Sequence, residues 1–167
     1  MTDPTSYMLS DDHREVDLLL ADALENLRLG NGEEAFKTLD LFWARLAMHI
    51  RAEHLHLFPA VLNTPHPDSQ VPQTLEALRR DHDFFMHELA DAIKAMRAMN
   101  TANEADVMRD TLDRVEAIEK RLAEHNAIEE ETVYPLQLDL PPAESEQLLR
   151  SIDKEIRNLP PRFRLSE

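Results

Sequence analysis

The sequence predicts an all-α protein, built as an antiparallel, up-down-up-down four-helix bundle with a short extra C-terminal helix, and three observations carry that reading. Only two glycines, Gly30 and Gly32, are available for tight turns, while Ala, Leu, Glu and Arg dominate and Val, Ile and Thr are sparse; this balance favours helix over strand. Four stretches repeat apolar residues every three to four positions, as one buried face of a helix requires. Short polar breaks separate them, so consecutive helices must fold back on one another.

Ser10 is expected to cap a first helix whose apolar stripe runs through Val16, Leu19, Leu20, Ala23, Leu24 and Leu27 and which ends at Gly30. After Gly32, Glu33 and Glu34 favour the start of a second helix. Its apolar positions Phe36, Leu39, Phe42, Trp43 and Leu46 lead through His49 to Phe58, and Asn63-Thr64-Pro65-His66-Pro67 ends it. Pro59 lies inside this pattern and removes a backbone donor, which predicts a kink or break close to Phe58; Pro135 predicts the same in the fourth helix. Ser69 or Thr74 starts the third helix, carrying Leu75, Leu78, His82, Phe85, Leu89 and Ile93 and stopping near Met99 and Asn100. Asn103 is placed as the cap of the fourth, with Val107, Met108, Leu112, Val115, Ile118, Leu122, His125 and Ile128 facing inward. One more amphipathic helix is expected over about 142–158, followed by a loose tail. The chain reads as a single domain over 1–167 with the core bundle in about 8–138.

Composition narrows the function classes. A formal charge of -15 with no basic stripe argues against nucleic acid and anionic membrane as partners. Without cysteine there is no disulfide, thiolate nucleophile or iron-sulfur ligand. The first residues lack the basic and apolar regions of a signal peptide and no apolar run reaches spanning length, so a cytoplasmic location is expected.

The chemistry lies in a repeat. RLAMHIRAEHLHLFP at 45–59 recurs in register as RLAEHNAIEEETVYP at 121–135, and each copy has a His four residues before a Glu. At about 100° per residue this puts His49 beside Glu53, and His125 beside Glu129, on one helix face, where imidazole and carboxylate can hold a metal jointly. An Asp-His pair precedes each copy, Asp12-His13 and Asp81-His82, so each half offers two His and one Glu. Nitrogen and oxygen donors of this kind suit iron, manganese or zinc. A ferritin-type site needs two Glu-x-x-His motifs, and only Glu53 with His56 has that spacing.

The order His, HxxxE, His, HxxxE, with Phe-Pro or Tyr-Pro closing each HxxxE helix, resembles the hemerythrin-like cation-binding domain over roughly residues 8–138. The resemblance implies a non-haem di-iron centre between four helices. His13 and His49 would serve one iron, His82 and His125 the other, and Glu53 and Glu129 would bridge both beside an oxo or hydroxo group. Oxygen-carrying hemerythrins have HxxxH on the third helix, where this chain has Met86 four after His82, and HxxxxD on the fourth, where it has HxxxE. Both departures resemble the iron-centre repair proteins of the same superfamily, which carry an additional Cys-containing N-terminal domain. The implied ligand is oxygen, nitric oxide or peroxide, with an electron-donor protein as partner. The alternative class is a non-catalytic module that senses iron or oxygen, or stores iron.

The remaining residues carry their own expectations. Phe42, Trp43, Phe58, Phe84, Phe85 and Tyr134 read as core packing, His54 and His87 as surface, and His56 as packing or an entry path. Arg45 is expected to pair with Asp17 one level from the ligands, leaving Arg121 without an obvious acid.

Overall fold

The computed structural model describes residues 4–65 and 68–164, and among them it contains helices and turns but no strand. Helix α1, Pro4–Arg28, begins ahead of Ser10, which sits inside it rather than capping it. It closes as expected at Gly30. There φ is 74°, a left-handed conformation that glycine adopts without strain. Gly30 N–H bonds the Leu27 carbonyl and Asn31 N–H bonds the Asn26 carbonyl, capping the exposed end of the helix.

Helix α2, Gly32–Ala52, does not run on to Phe58. The break anticipated at Pro59 falls earlier, as a π-helical turn over Glu53–Leu57, before the short helix α3, Phe58–Leu62. A proline ring crowds the carbonyl four residues back and cannot donate to it; widening the preceding turn relieves both problems. The Phe58 N–H bonds the Glu53 carbonyl, five residues earlier. Pro135 has the same effect: helix α4, Val71–Arg97, is followed by helix α5, Glu104–Ile128, then by a π turn over Glu129–Val133 and a 3-10 turn over Tyr134–Asp139.

Helix α4 starts between the two expected sites, with Pro72 in its first turn. Asn103 does stand at the start of α5, but its side chain accepts from the Asn100 N–H instead of capping the helix. Helix α6, Pro142–Ile156, matches the expected fifth helix and packs on α1, α2 and the first π turn. The tail is not loose up to Arg164: a 3-10 turn at Pro161–Phe163 brings Arg162 to donate to Asp40 at 2.9 Å. No helix among the described residues is long and apolar enough to cross a membrane.

The four long helices form a bundle, α2 touching α1 and α4, and α5 touching the same two. Its buried apolar residues fall into two clusters. One holds Val16, Leu20, Phe42, Ile50, Phe85, Ile118 and Leu122; the other holds Leu9, Leu57, Phe58, Leu78, Val133 and Tyr134. Between the two clusters lies a polar, buried layer: His13 on α1, His49 on α2 with Glu53 just past its end, His82 on α4, and His125 on α5 with Glu129 just past its end.

Candidate metal centre

The bundle gathers into that polar layer all six side chains singled out as ligands. None exceeds 5% exposure, and both glutamates are at 0%. His49 Nε2 lies 3.2 Å from Glu53 Oε1, and His125 Nε2 lies 2.9 Å from Glu129 Oε1, so each HxxxE pair meets across one helical turn. The other two histidines reach in from α1 and α4: His13 Nε2 is 3.2 Å from Glu129 Oε2, and His82 Nε2 is 3.3 Å from Glu53 Oε2 and 3.5 Å from Glu129 Oε1. Two groups of donor atoms could therefore hold a metal ion. One is His13, His49, Glu53 and Glu129; the other is His82, His125 and Glu129.

Every imidazole is turned the same way, with Nε2 inward and Nδ1 bonded outward. His49 Nδ1 meets Asp12 Oδ2 at 2.8 Å, His125 Nδ1 meets Asp81 Oδ2 at 3.2 Å, and His13 Nδ1 meets Glu130 Oε1 at 2.9 Å. His82 is the exception in kind, since its Nδ1 faces His54 Nε2 at 2.8 Å. A carboxylate can only accept, so the facing Nδ1 carries a proton, and in the neutral imidazole that a metal requires Nε2 is a lone pair pointing into the centre. Lone pairs then face carboxylate oxygens, a repulsive arrangement unless a cation or protons lie between.

The titration of these groups reflects that conflict. Burial opposes charge on His49, yet Glu53 and Asp12 outweigh it and raise His49 well above the ordinary histidine range. Burial likewise opposes charge on His82, but Glu129 and Glu53 hold it up at about 9. Burial and Glu129 both push Glu53 upward, and His49 and His82 override them, keeping it down at about 2. Burial also opposes ionisation of Glu129, which His125, His13 and His82 nonetheless hold well below the usual carboxylate range. Even so, Glu53 Oε2 and Glu129 Oε1 remain buried without a hydrogen-bond partner among the described residues. Those are the two oxygens facing the His82 side. A metal cation would satisfy both, and the donor set of imidazole and carboxylate is one that iron accepts.

The structure also gives a role to the aspartates of the two Asp-His pairs, to which the sequence assigned none. Asp12 and Asp81 each accept from a ligand-type histidine and from an arginine: Arg45 reaches Asp12 at 2.7 Å, and Arg121 reaches Asp81 at 2.9 Å through Nε. This corrects both arginine assignments. Arg45 pairs with Asp12 and Glu15, not with Asp17, which is solvent-exposed, and Arg121 has an acid partner after all. A buried carboxylate needs donors, and the long arginine stem reaches the buried Asp12 rather than the exposed Asp17. The Asp-His dipeptide present in both halves was the available signal.

Tyr134 is the larger correction. It is fully buried, but its hydroxyl belongs to the polar layer, 2.8 Å from Glu53 Oε1, 2.9 Å from His13 Nε2, 3.3 Å from Glu129 Oε2 and 3.4 Å from His49 Nε2. Burial and the two glutamate charges push its own ionisation well above the ordinary tyrosine range. His54, expected at the surface, is half-buried against His82 and is pulled down to about 4, first by burial and then by His82. The place of Tyr134 has its cause in the local winding. In a π turn the residue five after the glutamate returns to its side, whereas a uniform α register places it elsewhere. The same rewinding sends His56 toward Glu155 on α6, 3.6 Å away, instead of along the ligand stripe. His87 is exposed, as expected. Phe58 stacks on His82 with centroids 6.1 Å apart, and Phe85 packs edge-on to His125 at 5.3 Å.

In comparisons with known proteins, the family model described as the hemerythrin HHE cation binding domain matches residues 5–136. Searches among curated proteins and among solved structures returned no match.

Proposed function

The chain belongs to the hemerythrin HHE cation-binding domain family, and on that premise we propose that it is a non-haem di-iron protein that binds or reacts with oxygen, nitric oxide or peroxide. In this reading His13 and His49 would hold one iron, His82 and His125 the other, and Glu53 and Glu129 would supply carboxylate oxygens to the pair, which an oxo or hydroxo group would complete. The observation that carries it is the pair of buried oxygens, Glu53 Oε2 and Glu129 Oε1, which lie 2.9–3.5 Å from the inward-facing Nε2 atoms of His82 and His125 without a well-aligned hydrogen bond to either. We also read the bundle as a single antiparallel, up-down-up-down domain. Along α1 and α4 the chain passes from the Leu9 and Leu78 cluster to the Val16 and Phe85 cluster, and along α2 and α5 it passes back.

Bound iron would supply redox equivalents and coordination positions left open by the protein donors. The chain's own residues prepare the place for it. Asp12, Asp81, Glu130 and His54 fix each imidazole so that Nε2 points inward, which sets both the orientation and the basicity of the ligand. Tyr134 can donate its one proton to Glu53 Oε1, the nearest acceptor. Phe58, Phe85 and the flanking aliphatic clusters exclude bulk water from the layer. An electron-donor protein is the partner such chemistry calls for.

Elemental analysis of the purified protein should give two irons per chain. Its oxidised absorption should change on adding peroxide or nitric oxide and should recover through turnover. Iron that is bound but inert, with a melting point that depends on metal, would point instead to a sensing or storage module. Absence of bound iron would refute the di-iron assignment.

A further inference from the structure

The repeat that builds the centre is not symmetric in its chemistry. Superimposing the two HxxxE segments pairs Arg45 with Arg121, His49 with His125 and Glu53 with Glu129, all identical, and it pairs Phe58 with Tyr134. Each of these last two follows its glutamate by five residues across a π turn, and each ring stacks on a histidine from the other half, Phe58 on His82 and Tyr134 on His13. The scaffolds correspond, but only one ring carries an oxygen.

That oxygen lies among the four donor atoms of the first group: both histidine Nε2 atoms and one oxygen of each glutamate are within 3.4 Å of it. A hydroxyl has one proton to donate. In the neutral form that a metal binds, His13 and His49 keep Nδ1–H bonded outward to a carboxylate and turn the Nε2 lone pair inward; all four neighbours are then acceptors, so one contact at most is a hydrogen bond and the others set lone pair against lone pair. A cation held by the same four atoms would turn every one of these contacts favourable. The His82 and His125 side has no hydroxyl at the matching place.

We propose that Tyr134 is a further metal ligand, its hydroxyl oxygen bonding the ion held by His13 and His49 and making the two metal positions chemically unequal. The inference rests on the di-iron reading above. As the bond to a ferric ion forms, the O–H bond breaks and its proton passes to the buffer; no electron is transferred. The Tyr134 position then has a donor set of two His, two carboxylate oxygens and one phenolate, while its counterpart has no phenolate. The difference should bias the first position toward the ferric ion, because an anionic oxygen stabilises the higher charge.

The test uses the full chain loaded with ferric iron and read by iron content, visible absorption and resonance Raman scattering. A phenolate-to-iron(III) charge-transfer band, with tyrosine vibrations that shift when the protein is grown on ring-deuterated tyrosine, is expected in the unaltered protein. Tyr134→Phe should abolish the band while keeping iron bound, since it installs the ring that Phe58 already provides in the other half. Phe58→Tyr should add a second phenolate signal. Full iron content without any phenolate signature in the unaltered protein would overturn the inference and leave the di-iron reading standing, as would an unchanged band in Tyr134→Phe. Unaltered protein that takes up no iron would overturn both.

Discussion

Asp12→Asn is the substitution that most directly tests the outer ring of contacts. Asp12 Oδ1 accepts from Arg45 Nη2 at 2.7 Å while Oδ2 accepts from His49 Nδ1 at 2.8 Å. Burial opposes its ionisation, but His49 and Arg45 together keep it below the usual carboxylate range. Asparagine keeps the shape and offers one acceptor, so its amide N–H must face either the arginine or the imidazole, donor against donor. A hydrogen bond to a charged group contributes about 1.5–3 kcal/mol, and a buried ion pair stripped of one partner costs about 3–5 kcal/mol. Arg45 retains Glu15 at 3.0 Å and is 19% exposed, which holds the loss to the lower range, about 2–3 kcal/mol.

Denaturant titration of the metal-free protein should recover that loss, equivalent to a fall in melting temperature of roughly 4–12 °C for a chain of this size. Metal affinity should fall by about 10–100-fold, because His49 loses the acceptor that fixes its orientation. The matching Asp81→Asn should cost less, about 1 kcal/mol. There the His125 contact is longer, at 3.2 Å, and Arg121 is 44% exposed and also lies over the Phe84 ring. Asp17→Asn, at an exposed position, should stay within about 0.5 kcal/mol of the unaltered protein. Asp17→Asn costing as much as Asp12→Asn, or Asp12→Asn leaving metal affinity untouched, would refute the reasoning.

Three further outcomes are expected. Replacing His49 or His125 with Ala should take metal content well below two ions per chain by elemental analysis, and full occupancy in both variants would remove these residues from the ligand set. Metal-free protein should be most stable near pH 6.5 in thermal melts. Above that pH, stability held by protonated His82 is lost as its folded-state value of about 9 is passed; below it, His54, held down at about 4, resists a proton that the unfolded chain accepts near 6.5. A flat profile between pH 5 and 9 would contradict this. His54→Ala should weaken one metal position roughly tenfold in chelator competition, since His82 Nδ1 loses its half-buried acceptor. Glu130→Ala should weaken binding less, because Glu130 is 41% exposed and water can replace it; the reverse order would count against the ranking.

The legible part of the fold was the part that obeys a single period. Apolar spacing located the long helices to within a few residues, and the HxxxE spacing located the centre, because both rest on the α-helical turn. What escaped lies where that turn changes. Carrying the α register up to Pro59 and Pro135 read Tyr134 as core packing and His56 as packing or an entry path, and the π turns alter both, while His54, read as surface, meets His82 across the bundle. A proline six residues after each glutamate was a visible sign of a break, but spacing alone does not say whether a break widens the turn or bends it. Asp12 and Asp81 escaped for a different reason. An acidic residue beside a histidine is common on solvated faces, and only the packing of α1 on α2 and of α4 on α5 makes these two the acceptors for His49 and His125.

The two halves share every residue of the Arg-Asp-His-Glu chain, Arg45 to Asp12 to His49 to Glu53 and Arg121 to Asp81 to His125 to Glu129. They differ at the residues one and five positions beyond the glutamate, His54 against Glu130 and Phe58 against Tyr134. The first meets Nδ1 of the histidine on the opposite half, and the second, carried round by the widened turn, stacks on that same ring. A substitution at either position changes what surrounds one histidine and leaves the Arg-Asp-His-Glu frame in place. The regular helices hold the four histidines, each glutamate opens an irregular turn, and the residues that follow it make His13 and His82, otherwise equivalent, chemically different.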